Sequence, residues 1–182
     1  MVPTLRVTGL NVQIVNGTGS TDVKNGAGNL VLGYNELGNL FGDDRTGSHC
    51  LVYGTKATYS ATSCLVGGSQ NSVHGYYSAI LTGDQNVIDP GVFMGVIGTG
   101  FRNDIHGPGA GFIVSGTDND LSSASGAIVG GIGNNASEGA AIVIGGGQAN
   151  AATGNASVVS GGTARAATGN GSWAGGNFFS PN

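Results

Sequence analysis

The sequence predicts an all-β protein, a parallel β-roll or β-solenoid of about ten rungs. Three observations carry this: a short apolar phrase closed by glycine that keeps returning, an asparagine three residues after most of those glycines, and the absence of any 3.6-residue apolar period. The phrase reads "AILTGD", "FIVSGT", "AIVGGI", "VIGGGQ" and "SVVSGG". Its glycines are Gly33, Gly54, Gly68, Gly83, Gly100, Gly116, Gly131, Gly147, Gly162 and Gly176. After an opening gap of 21 the spacings are 14, 15, 17, 16, 15, 16, 15 and 14. Helices would be broken by a glycine and a polar turn every seven or eight residues, whereas short β-branched strands fit between them.

Measured three residues before each glycine, one column is apolar throughout: Leu30, Leu51, Leu65, Ile80, Ile97, Ile113, Ile128, Ile144, Val159 and Trp173. This is the predicted core column. Three residues after the glycine stand Asn71, Asn86, Asn103, Asn119, Asn134 and Asn150, then Arg165. Asparagine tolerates left-handed backbone, and stacked in register it can form an amide ladder. Two residues further on, Val73, Ile88, Ile105, Leu121, Ala136, Ala152 and Ala167 form a second apolar column. Each rung is thus two strands and two turns, and rungs stack at about 4.8 Å. Residues 28–176 form the predicted repeat domain, 1–27 a capping strand read from the alternation in "TLRVTGLNVQIVNG", and 177–182 a cap or tail to which Phe178 and Phe179 add bulk beside Trp173.

The flanks of the core column are apolar as well, where strand alternation calls for polar residues. Val66, Leu81, Phe112, Val114, Val129, Val143 and Val158 therefore constitute a predicted self-association surface, since a lone roll would expose them along most of its length. Cys50 and Cys64 fall in one column on adjacent rungs. Their separation permits a bridge, but in-register neighbours point the same way, which favours reduced, packed thiols.

The segments "GSQNSVHGYYSAILTGDQNVI", "AIVGGIGNNASEGAAIVIGGGQANAATG" and "NASVVSGGTARAATGNGSWAGG" resemble the head repeats of trimeric autotransporter adhesins, the YadA-like left-handed parallel β-roll. "GNLVLGYNE" and "RTGSHCLVYG" resemble the lead-in before such repeats in bacterial β-roll proteins. The resemblance implies a left-handed roll, a parallel homotrimer about a three-fold axis, and an adhesive surface fibre.

Composition excludes several other classes. Of 182 residues, 39% are hydrophobic and 9% charged, which suits a packed chain better than a disordered one, and the 37 glycines follow no Gly-X-Y period. Net charge is −4 and the six basic residues are scattered, so no nucleic-acid partner is expected. No export signal and no membrane span are read, and the resemblance places the protein outside the cell or on its surface.

Of His49, His74 and His106, the last two fall six residues after their glycines and read as solvated turn residues, with a paired ligand or base site formed across a trimer as the alternative, and Asp104 reads as turn chemistry. Left-handed hexapeptide acyltransferases repeat an apolar residue every six positions, whereas core positions here alternate in steps of about eight and seven. No nucleophile motif, paired carboxylates or calcium nonapeptide is found, so neither enzyme activity, cofactor nor metal is expected. Asn16, Asn135, Asn155 and Asn170 begin Asn-X-Ser/Thr sequences attributable to turn composition. Two functional classes fit: a surface-fibre module, either an adhesin-like head binding host matrix or glycan or the shaft of a phage or injection-system fibre, and a flat-surface solenoid of the ice-binding type. The first is favoured because the second-strand column loses its regularity at Ile105 and Leu121.

Overall fold

A computed structural model of the protein describes residues 2–176. The fold is an all-β parallel solenoid of about eight turns, with no helix among the described residues. Each turn contributes one strand to each of two sheets. The long sheet has ten strands in chain order: Leu30–Leu32, Leu51–Thr55, Leu65–Ser69, Ala79–Ile80, Val96–Ile97, Ala110–Ile113, Ser125–Ile128, Ala140–Ile144, Val158–Val159 and Trp173–Ala174. The short sheet has eight: Thr58–Tyr59, Ser72–Val73, Val87–Ile88, Asp104–Ile105, Asp120–Leu121, Asn135–Ala136, Ala151–Ala152 and Ala166–Ala167.

Pairing registers define two core columns that face each other. In the long sheet Ile80, Ile97, Ile113, Ile128, Ile144 and Val159 pair in sequence, and all are fully buried. In the short sheet Val73, Ile88, Ile105, Leu121, Ala136, Ala152 and Ala167 do the same. A second inward column of the long sheet is matched to them in size. Gly95, Gly111 and Gly126 stand where the facing residue is large: a Cβ on them would lie 3.0 Å from Ile88 Cγ2, 2.6 Å from Ile105 Cγ2 and 2.9 Å from Leu121 Cδ1. Where the short-sheet column drops to Ala136, a register shift brings buried Ile142 opposite Gly126. Large faces small in each layer, as close packing demands.

The early turns depart from the sequence reading. Val52 and Val66 occupy the core, at 0% and 1% exposure, while Leu51 and Leu65 point outward and are half-buried. Val66 pairs with Ile80, yet the corner glycines Gly68 and Gly83 remain in contact. The core residue therefore stands two places before its glycine in these turns and three places in later ones. A fixed offset lands on the wrong side, and a one-residue slip flips every side chain. Leu30 and Trp173 face outward for the same reason: Val31 pairs with Val52, and Ala174 with Val159.

The slip also turns Cys50 and Cys64 inward, where they form a disulfide with a Cα separation of 4.5 Å instead of packed thiols. That separation lies within the range a bridge spans, and the bond ties two consecutive turns together. Residues 2–27 carry no strand in this structure, and Leu5, Leu10 and Val12 are exposed. The chain folds locally about buried Asn16, whose side chain donates to the Val23 carbonyl and accepts from the Thr18 amide at 3.0 Å. Phe178 and Phe179 lie outside the described residues.

The asparagine column is buried at the corner between sheets. Each Asn Nδ2 donates to the Oδ1 of the asparagine one turn earlier: Asn86 to Asn71, Asn103 to Asn86, Asn119 to Asn103, Asn134 to Asn119 and Asn150 to Asn134, at 2.9–3.1 Å. The same amides donate to a corner glycine carbonyl of the next turn, as Asn119 does to Gly131 at 3.1 Å. Each Oδ1 also accepts a backbone amide, ending with Arg165 N at 3.0 Å. Corner glycines leave room for this: Gly116, at φ +119°, would place a Cβ 2.3 Å from the Gly131 carbonyl oxygen and 2.4 Å from Asn119 Nδ2.

Candidate self-association face

The outward side of the long sheet presents two columns without a charged residue. The first runs through all ten strands in paired register: Leu30, Leu51, Leu65, Ala79, Val96, Phe112, Ala127, Val143, Val158, Trp173. Every position is apolar. The second follows the core residues and reads Leu32, Tyr53, Gly67, Leu81, Gly98, Val114, Val129, Gly145, Ser160, stacked by bonds such as Leu81 N to Ile97 O at 3.0 Å and Val114 N to Ile128 O at 3.0 Å.

Glycines in the second column act as notches for rings. Tyr53 lies across Gly67, where a Cβ would meet its ring at 2.4 Å, and its hydroxyl donates to the Leu81 carbonyl. Trp173 lies across Gly175, 2.9 Å from a Cβ there, with Nε1 donating to Ser160 Oγ at 2.6 Å. Bulky rings are thereby held flat, so the surface stays level enough to meet another surface. Turned away from the core, these side chains keep contact with solvent: Phe112 is 45% exposed, Val143 40% and Trp173 59%.

Six of the seven residues anticipated for association, Leu81, Phe112, Val114, Val129, Val143 and Val158, lie on this face. Val66 does not; it is in the core. Leu51, Leu65, Val96, Tyr53 and Trp173 belong to the face but were not assigned to it. Moving the register by one in the first two turns would have found Leu51, Leu65 and Tyr53.

The outward side of the short sheet has the opposite character, with Asp104, Asp120 and Asn135 in one column and His74, Asp89 and His106 in the next. His74 is half-buried rather than solvated; Ser60 Oγ is 2.6 Å from its Nδ1, and burial holds the imidazole below its ordinary pKa. Burial and the neighbouring Asp89 and Asp120 push the Asp104 carboxyl up to about 6, against the pull of His106. No protein-family model, curated protein or solved structure matches the chain.

Proposed function

We propose that the protein is a non-catalytic structural module of a trimeric surface fibre, adhesin-head-like, built as a left-handed roll with turns of 14–17 residues and working outside the cell. The observation that carries this reading is the ten-position apolar column running unbroken across the long sheet. A continuous exposed apolar column of this kind marks a surface that a partner covers. A closed, parallel assembly sets each turn against the same turn of its neighbours, so one column meets its copies along its full length. Three-fold symmetry rests on the resemblance of the repeats to YadA-like heads. The disulfide agrees with an oxidising compartment.

Light scattering tests it. A trimer of the 17.8 kDa chain has a mass near 53 kDa (3 × 17.8 = 53.4). A stable monomer of about 18 kDa sinks the trimer and with it the fibre. Binding of the intact trimer to immobilised matrix proteins or glycans tests adhesion separately, with thermal hysteresis measured on the same sample as the mark of an ice-binding surface.

A further inference from the structure

The polar side of the short sheet holds a group of side chains that fibre assembly does not use. Asp89 and His106 follow the buried residues Ile88 and Ile105, on consecutive turns joined by Asp89 N to Ile105 O at 2.9 Å. Asp104 and Asp120 precede Ile105 and Leu121 and pair directly. One ligand atom each from Asp89, Asp104 and His106 lies within 4.8 Å of the other two. The His106 ring stands between two carboxylates, Nδ1 3.6 Å from Asp104 Oδ2 and Nε2 3.5 Å from Asp120 Oδ1.

Two features separate this group from ordinary surface acids. Asp104 Oδ1 and Asp120 Oδ1 are both shut off from solvent without a hydrogen-bond partner. The nearby guanidinium of Arg102 is taken by Asp118, at 2.8 Å, so three carboxylates share one imidazole. An open surface groove lined by Phe41, Gln85, Val87, Arg102 and Asn103 reaches Asp104 from one side.

We propose that Asp89, Asp104 and His106 bind a divalent transition ion of the zinc class, with Asp120 as the carboxylate that orients the imidazole. Mixed imidazole and carboxylate donors suit such an ion better than calcium, which takes oxygen alone. Contacts of about 2.0–2.2 Å to all three would draw together side chains already converging. His106 Nε2 stands 3.5 Å from Asp120 Oδ1, and closing that gap to a hydrogen bond as the metal binds would fix the tautomer that leaves Nδ1 for the metal, an arrangement usual at histidine ligands. The ion would join consecutive turns on the face opposite the association surface, and the site does not depend on the trimer.

The test is zinc chloride titrated calorimetrically into protein freed of metal with a chelator, with cobalt substitution read by its visible absorption. The expected result is one saturable ion per chain and a raised melting temperature. Asp104→Asn and His106→Gln should each weaken binding at least tenfold, and Asp120→Asn about 10–100-fold. Asp22→Asn, outside the group and away from Arg102, should bind as the unmutated protein does. Circular dichroism checks that each variant keeps its β-sheet signal. No saturable binding by the unmutated chain overturns the proposal whatever the variants do, as does binding that survives both ligand changes.

Discussion

A single buried side chain shows how narrow this core is. Ile113 is fully buried between layers one residue thick, so Ile113→Asp puts a charge where no water or cation reaches it. Chemical denaturation should show the largest loss of any change discussed here. Taken as one step of a ladder, Asn119→Ala carries a modest cost. The structure raises that cost, because Asn119 bonds to Asn103, Gly131 and the Asn134 backbone and side chain in a buried column. Each orphaned partner costs about 1–3 kcal/mol, so the variant should lose several kcal/mol while remaining more stable than Ile113→Asp. Equal midpoint shifts would mean that the ladder supports the fold as much as the apolar column does.

Asp104 gives a residue-scale prediction in pH. Its folded pKa, about 6, lies above the ordinary 3.8, so the folded state holds the proton more tightly. Its contribution is present below about pH 4 and is lost as pH rises through 6. Without metal, Asp104→Asn should therefore gain in melting temperature relative to the unmutated protein between pH 4.5 and 7.5. The half-exposed side chain keeps the effect small. Parallel melting profiles across that range would remove Asp104 as the titrating group.

The strand pair is the scale at which the sequence was most and least informative. Ile80 to Val159 and Val73 to Ala167 could be read directly, because a β-branched residue recurs at a constant distance from a glycine that the corner requires. Val52 and Val66 could not, because the strands Leu51–Thr55 and Leu65–Ser69 run straight through their glycines one residue early. Both neighbours are apolar there, so hydrophobicity alone does not choose the inward one. The Cys50–Cys64 bridge was hidden by the same ambiguity. Nor does a glycine of the inward column announce that it faces Ile105 or Leu121, since complementarity is a property of two strands far apart in sequence.

Two element-scale outcomes follow from these contacts. Ile142→Ala empties the layer where Ala136 leaves space, and should cost about 2–5 kcal/mol in denaturant unfolding. A cost below 1 kcal/mol would show that the layer collapses around the gap. Reducing the Cys50–Cys64 disulfide, which closes a 14-residue separation, should lower stability by about 3 kcal/mol on chain-entropy grounds. Identical melting with and without reductant would show that the early turns are already held by their packing.

For the whole molecule, the proposed trimer makes stability depend on protein concentration. Phe112→Glu with Val114→Glu would set six carboxylates against one another in a dry interface, which should reduce the 53 kDa assembly to 18 kDa chains in light scattering. An unchanged mass would place the contact on another face. Of this face the sequence disclosed that an apolar flank exists and several of its residues. The level surface made by Tyr53 over Gly67 and Trp173 over Gly175 was not legible, since it depends on the Tyr53 ring reaching the next strand and on the Trp173 ring folding over Gly175 toward Ser160.

The disulfide sits near one end of the stack, while the other end closes on Ala152, Ala167 and Ala174. A stack whose turns touch only their neighbours has no way to share a load, so tension would fall on its weakest terminal contact. Pulled by its ends, the protein should peel from the alanine-rich side, each proposed turn of about 15 residues paying out roughly 50 Å of chain. Unravelling should stop at Cys64, because the covalent link holds the remaining loop closed. The fold is in this sense a ratchet with a brake: a tether that yields in steps, with a fixed length it does not give up.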